Sequence, residues 1–223
     1  MRSTATLILG LCATCAVVFA QDPVSVSPKH YQVEFENEHL RVLRSSGSGR
    51  AHTPMHSHPE NVVVYLTDAD VRVVGPDGVA KDSHRQRGDA IWNGGQKHER
   101  INLSDKPYEL IQVELKTTGM RSPPLGALDP IKVTPSRYRM LVENDRVRVL
   151  RAFIGPRAKA GLHQHPPFVA IALTDSLQRL TSESGETRDS KRKAGSVAFN
   201  PALKHQEENL TDQPIELVLV ELK

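Results

Sequence analysis

Cysteine is almost absent from this chain. Only two occur among 223 residues, Cys12 and Cys15, and both fall in the first twenty positions. Beyond residue 20 no disulfide can form, so stability must come from burial, and about two hundred residues suffice for one large core or two small ones. Aromatic residues are scarce at 4%, and the formal charge is only +3, falling to +2 without Arg2. A near-neutral chain with no aromatic-studded basic patch argues against nucleic acid as a partner. After the first segment no run is apolar enough to span a membrane, and no long amphipathic helix is evident.

The first twenty residues, "MRSTATLILGLCATCAVVFA", have a basic start at Arg2, an apolar run from Leu7 to Phe19 and small-residue spacing at Val18 and Ala20. That pattern predicts a secretory signal peptide cleaved before Gln21, and hence a secreted or periplasmic protein. The apolar run is short for a membrane anchor. Lipidation at Cys12 or Cys15 is disfavoured by Leu11 and Thr14, which stand where small residues are expected.

What is present, above all, is a repeat. "ENEHLRVLR" (36–44) returns as "ENDRVRVLR" (143–151), and "KHERINLSDKPYELIQVELK" (97–116) returns as "KHQEENLTDQPIELVLVELK" (204–223). From Tyr31 to Lys116 the offset stays at 107 without a gap. The expected organisation is a signal peptide (1–20), one module (21–116), a Pro- and Gly-rich linker (117–135) and a second module (136–223).

Each copy reads as all-β. Val71 and Val73 alternate with Arg72, and Gly75-Pro76-Asp77-Gly78 supplies a hairpin turn. "LIQVELK" and "LVLVELK" are apolar enough for strands covered on both faces. Short strands with frequent turn signals predict a sandwich or barrel.

The histidines are distributed in a way the repeat can test. In a strand, residues i and i+2 share a face, so His56 and His58 converge, as do His163 and His165. Each copy adds a third histidine, His98 or His205. Six of the ten histidines form three pairs at the offset of 107. The other four, His30, His39, His52 and His84, correspond to Arg137, Arg146, Lys159 and Lys191. Where a position needs only to be polar or basic, the copies differ; where three imidazoles could meet, both keep histidine. Each triad is a sound ligand set for a divalent transition metal.

These motifs resemble those of the cupin superfamily. "HSH…RGDAIWNGGQKHERIN" and "HQH…AGSVAFNPALKHQEEN" are similar to the two cupin motifs. Gly88, Gly95, His98 and Asn102 fit the second motif in copy one, and Gly195, His205 and Asn209 fit it in copy two. Asn93 and Asn200 replace its proline, and Ala202 its inner glycine. The resemblance covers nearly the whole chain after residue 20. It implies a secreted bicupin: two tandem cupin (double-stranded β-helix, jelly-roll) barrels, each with a metal inside.

The glutamate of the first motif is missing. Val62 and Val63, or Val169 and Ala170, stand in its place, and a one-residue deletion would bring Asn61 or Phe168 there. Asn61 is a candidate weak oxygen ligand. Glu60 is expected in solvent, since Pro167 replaces it in copy two. Glu114 and Glu221 recur in the last strand and could face the barrel or pair with surface Arg or Lys. Arg41, Arg44, Arg148 and Arg151 also recur and are read as salt-bridge partners. Trp92, opposite Phe199, is read as core or barrel rim. Asn102 and Asn209 are read as turn residues in "INLSD" and "ENLTD".

A three-imidazole site is neutral, so a bound ion keeps its double charge and retains open coordination positions. With Fe or Cu, this suits a dioxygenase taking a chelating, oxygen-rich substrate. With Zn, Mn or Ni, a bound water could ionise near neutrality and act as base or nucleophile. The resemblance also admits isomerases, lyases and non-catalytic small-molecule binders, and a homodimer. No general acid or base stands out beside the histidines, because alternation turns Lys97 and Lys204 to the opposite face. Copy two, with Pro167 and Phe168, is expected to have the drier and narrower pocket, and copy one to hold the active or tighter site. Protein isolated from its native host should begin at Gln21 by intact-mass measurement; soluble protein retaining Met1–Ala20 would refute the signal peptide.

Overall fold

The computed structural model describes residues 21–116, 122 and 124–223. The expected signal segment lies outside them. Copy one runs α1 (Pro23–Val26), β1 (Tyr31–Glu36), β2 (Leu40–Gly47), β3 (His52–Tyr65), β4 (Ala69–Val74), β5 (Ala80–Arg85), β6 (Ala90–Asn102) and β7 (Tyr108–Leu115). A 3-10 turn (Gly126–Leu128) then leads to α2 (Pro130–Val133), β8 (Tyr138–Glu143), β9 (Val147–Ile154), β10 (Lys159–His165), β11 (Phe168–Ala172) and β12 (Ser176–Ser182). The chain ends with β13 (Thr187–Arg192), β14 (Val197–Asn200), β15 (Leu203–Asn209) and β16 (Ile215–Leu222).

The first half forms one antiparallel sheet in the order β1-β2-β7-β3-β6-β4-β5. This is the jelly-roll order. The second half repeats it in two sheets, β8-β9-β16-β11-β14 and β10-β15-β12-β13. The split has a local cause. Pro166 and Pro167 separate β10 from β11, and Pro201 lies between β14 and β15. Proline offers no N–H to a ladder. In copy one the same level holds Pro59 opposite Gly95, whose φ of 85° relaxes the partner strand without ending it.

The hairpin expected at Gly75–Gly78 joins β4 to β5, with the Gly75 amide donating to Val79 O at 2.9 Å. β7 and β16 are buried along almost their whole length, as their unbroken apolar runs require. The repeat also reaches upstream of Tyr31. Within the stretch read as linker, Asp129 caps α2 as Asp22 caps α1, each side chain accepting from a first-turn amide.

Alternation in β3 and its counterpart explains why both faces are apolar. Val63 and Tyr65 point into the first barrel, with Val71, Tyr108 and Leu110. Val62 and Val64 point out and join a core shared by both halves. The residues of that core fall into pairs at the offset of 107. Leu40 and Val147, Val62 and Val169, Ile111 and Val218, and Val113 and Val220 all belong to it. The same surface of each copy is thus buried against the other, as in a pseudo-twofold dimer. Trp92 and Phe199 close its edge. Arg44 of copy one donates from Nη2 to Gly195 O at 2.6 Å. Reciprocally, the Arg151 guanidinium lies so close to Gly88 that a Cβ there would come within 2.7 Å of its Cζ.

Because the two halves share this core, Ile111→Ala should cost about 2–5 kcal/mol and lower the melting of both together. Calorimetry of the full chain reads this, and a second half that melts unchanged would contradict it.

Candidate metal centres

The strands of each barrel bring its three histidines to one point. β3 carries His56 and His58, and β6 sets His98 directly opposite His56 in the ladder. The ring centroids of His56 and His98 lie 4.5 Å apart, and those of His56 and His58 4.9 Å. In the second barrel His163 pairs with His205 across β10 and β15. The corresponding separations are 4.5 and 5.1 Å. In each triad one ligating atom per residue lies within 4.8 Å of the other two, and all six side chains are buried.

The surrounding hydrogen bonds set the tautomers. His56 donates from Nδ1 to Pro54 O at 2.7 Å, and His163 does the same to Gly161 O at 2.8 Å. His58 donates from Nδ1 to Glu114 Oε1 at 2.7 Å, and His165 to Glu221 Oε1 at 2.6 Å. A carbonyl or carboxylate can only accept, so the hydrogen of each of these four rings sits on Nδ1, and Nε2 is the nitrogen that faces the other histidines with an acceptor lone pair. Burial disfavours the charged form of four of the six rings. It pushes His56 down to about 4, His98 to about 2 and His205 to about 3, and lowers His163 as well.

Glu114 and Glu221 take up both of the roles open to them from the sequence. Each is buried, at 1% and 0% exposure, and each holds a histidine with one oxygen and an arginine with the other. Arg41 Nε donates to Glu114 Oε2 at 2.7 Å, and Arg148 Nε to Glu221 Oε2 at 2.5 Å. The arginines in turn reach Asp22 and Asp129, the helix caps. The carboxylates therefore orient and polarise ligands, an outer-shell role that also raises ligand basicity.

Other candidates are placed elsewhere. Glu60 is half-exposed and pairs with Arg146 of the other half at 3.3 Å. Asn61 is fully buried, but its side chain bonds Pro59 O and Asn93, and it is not part of the triad. Asn102 and Asn209 brace the turns that follow β6 and β15. Arg44 and Arg151 form salt bridges with Glu109 and Glu216.

The expectation that no acid or base flanks the histidines needs correcting. Tyr31 OH lies 2.9 Å from His56 Nε2, and Tyr138 OH 3.3 Å from His163 Nε2. Burial raises both phenols, so they remain O–H donors. The signal was available, because Tyr31 and Tyr138 are themselves a pair at the offset of 107. Two residues beyond the third histidine, on the same strand face, stand Arg100 in copy one and Glu207 in copy two. Both are buried. Their sequence signal is only that i+2 position.

Each triad borders a cavity. The first measures about 190 Å³ and is lined by His98, Arg100, Arg85, Asn93, Gln96 and Gln112, among others. The second measures about 40 Å³ and is more apolar, with Phe168, Leu203, Leu217 and Leu219 beside His165 and His205. The narrower second pocket matches the expectation from Pro167 and Phe168.

No protein-family model matches the chain, and no curated protein sequence does. Solved structures do. The chain is similar to AerE from Microcystis aeruginosa, with a TM-score of 0.67 at 16% identity over 91% of this chain and 97% of that one. It is also similar to oxalate decarboxylase OxdC from Bacillus subtilis, in a SENS161-164DSSN mutant, with a TM-score of 0.61 at 14% identity over 91% of this chain and 72% of that one. A cupin domain from Bordetella pertussis aligns with 39% of the chain at 27% identity and a TM-score of 0.37. The fold is accordingly an all-β jelly-roll, shared with the first two of these structures. Each barrel carries a ligand set of the kind that holds a divalent metal.

The donor set fits such an ion. All three ligands are imidazoles, two with their second nitrogen tied down. The third histidine is the informative one. Among the described residues neither ring nitrogen of His205 has a hydrogen-bond partner, nor has Nδ1 of His98. A buried unpaired polar group costs about 1–3 kcal/mol, which coordination at His205 would relieve. Among the described residues no helix is long and apolar enough to cross a membrane.

Glu114→Ala should weaken metal binding at the first site by about 10–100-fold, as loss of an outer-shell partner typically does. Metal titration with a chelator competitor would detect this, and an unchanged affinity would remove Glu114 from the centre. The metal-free protein should also lose stability as pH falls below the ordinary histidine value of 6.5. Unfolded histidines take up protons there while folded His56, His98 and His205 do not, so the loss continues down to about pH 4 and beyond. Each of these histidines contributes up to about 1.4 kcal/mol per pH unit. Denaturant melts between pH 7 and 5 measure the slope.

Proposed function

We propose that this chain is a secreted, metal-binding bicupin whose first site oxidises a small oxygen-rich molecule in a metal-dependent, dioxygenase-like reaction. The observation that carries this reading is a buried set of three imidazoles, His56, His58 and His98, the last of which lines a cavity of about 190 Å³. A cavity of that size accepts a small organic molecule, whereas about 40 Å³ at the second triad admits a few waters. Secretion rests on the N-terminal segment alone.

A redox-active ion such as Fe or Cu, when bound, supplies Lewis acidity and electron transfer to O₂; Zn, Mn or Ni would supply Lewis acidity and an ionisable water. The protein's own contribution is preorganisation. Glu114 fixes the His58 ring, and Arg41 fixes Glu114. Tyr31 keeps a proton next to His56, available to a substrate oxygen. Asn93, Gln96 and Gln112 line the cavity with groups that can both donate and accept hydrogen bonds. Solved structures of the similar oxalate decarboxylase include work on its Mn(II) centres, which supports a divalent metal without selecting one.

A second reading, a non-catalytic binder, draws support from the first cavity's lining, which contains no carboxylate to accept a proton. Oxygen consumption separates the two. Fe- or Cu-loaded protein should take up O₂ with some catechol, diketone or polyphenol, and His98→Ala should abolish uptake. A broad substrate screen without turnover under any metal, together with tight ligand retention, would favour the binder.

A further inference from the structure

The two barrels keep the same three histidines, the same orienting glutamate and the same phenol, yet they invert one charge beside the metal ligands. Arg100 and Glu207 occupy one position of the repeat. Each lies two residues after the third histidine, each on the inner face of its strand, and each is buried, at 5% and 7% exposure.

Their surroundings differ as much as their charge. Glu207 is answered on the spot: Arg137 Nη1 donates to it at 3.4 Å, Tyr138 OH at 3.2 Å and Gln178 Nε2 at 3.1 Å. Arg137 is the counterpart of His30, which in copy one bonds the backbone of Ser46 and leaves Arg100 alone. Among the described residues, the oxygens bonded by Arg100 are neutral ones. Its Nη2 donates to Ser45 Oγ at 2.5 Å and to Tyr31 and Tyr108 hydroxyls at 3.4 Å each. Its Cζ lies 4.8 Å from the centre of the Tyr108 ring. Nε is buried with no acceptor. No carboxylate forms an ion pair with it among the described residues. A guanidinium cannot shed its proton, so burial does not neutralise it as it does a histidine. A buried fixed charge without a counter-charge is strongly disfavoured, and a divalent ion at the adjacent triad adds to the same imbalance.

We infer that the first cavity is built for an anion, and that its ligand is a small carboxylate or equivalent oxyanion lying between the triad and Arg100. The inference rests on the metal reading of the first triad for the other end of that ligand. The cavity's remaining cations agree with the assignment, since Lys81 and Arg85 line it as well. The second cavity has an arginine at its rim too, Arg192, but its inner position holds Glu207, already neutralised by Arg137. It has neither a cation at that inner position nor the volume. The copies have thus diverged in what they admit while keeping one ligand set: an anion in the first, water or a small neutral molecule in the second.

Isothermal titration of the full chain loaded with Zn(II), which has no redox chemistry of its own, tests this with acetate and its neutral isostere acetamide. One acetate per chain should bind, and acetamide at least tenfold more weakly. Arg100→Gln should weaken acetate at least tenfold, and Arg100→Lys, which keeps a charge, should retain most of the affinity. Equal binding of acetate and acetamide would overturn the inference even if Arg100→Gln failed to fold. So would unchanged acetate affinity in a folded R100Q, or two equivalent acetates per chain. Zinc retained at two ions per chain without acetate binding would sink the anion site and leave the metal reading intact. Arg100-dependent acetate binding to protein that holds no zinc would do the reverse.

Discussion

One interaction organises each barrel: a buried carboxylate on the last strand, shared between a histidine and an arginine. Glu114 and Glu221 cannot lie buried and unpaired, because an isolated carboxylate in that environment is too costly. Arg41 and Arg148 supply the counter-charge, and His58 and His165 supply the second donor. The arrangement ties four separate parts of each copy together. The helix cap at Asp22 or Asp129 holds the arginine on the second strand, the arginine holds the glutamate on the last strand, and the glutamate sets the imidazole on the third. The ligand ring is therefore oriented by a chain of charges that ends at a one-turn helix. This gives the short capped helices a structural role that their length alone would not suggest.

That chain of charges needs a rigid frame, and the shared core provides it. β3 and β7 of copy one and their counterparts present one face to their own barrel and the other to the partner barrel. Strands covered on both faces tolerate no register slip, since a one-residue shift would exchange the two apolar sets. The pairing of His56 with His98, and of His163 with His205, inherits that register. The cross-barrel contacts from Arg44 to Gly195 and from Arg151 towards Gly88 fix the turns that lead into β6 and β14. A close approach by a guanidinium leaves no room for a side chain at Gly88, which also has a φ of 86°.

Within this common frame the copies differ where the frame permits. Ser45, Tyr65, Tyr108 and Gln112 of the first barrel become Ala152, Ala172, Ile215 and Leu219 in the second. Polar groups lost from the second interior are replaced by apolar ones of its own core. The prolines that divide the counterparts of β3 and β6 into β10 and β11, and β14 and β15, act at the same level of the second barrel. Duplication preserved the ligands and the charges that orient them, while the cavity walls diverged.

The repeat itself, the all-β class, the two-faced final strands and the two histidine triads were all legible in the sequence. Each of these depends on local periodicity or on comparison of one copy with the other, and both kinds of information lie along the chain. The internal comparison held a signal for Tyr31 and Tyr138 as well, but nothing in their neighbourhood declared a role and neither was singled out from the sequence. The remainder was decided by tertiary structure. Glu114 had two open fates in the sequence, facing the barrel or pairing with a cation. Only the folded sheet reveals that its two oxygens serve both, because His58 and Arg41 are brought to it by different strands. Arg100 and Glu207 carry opposite charges at one repeat position, a fact visible in the sequence. Whether each is compensated is not, since the partner of Glu207 is Arg137, seventy residues away, and Arg100 has no such partner among the described residues. Periodicity tells which face a side chain takes; the balance of charge inside a cavity depends on which distant strands close around it.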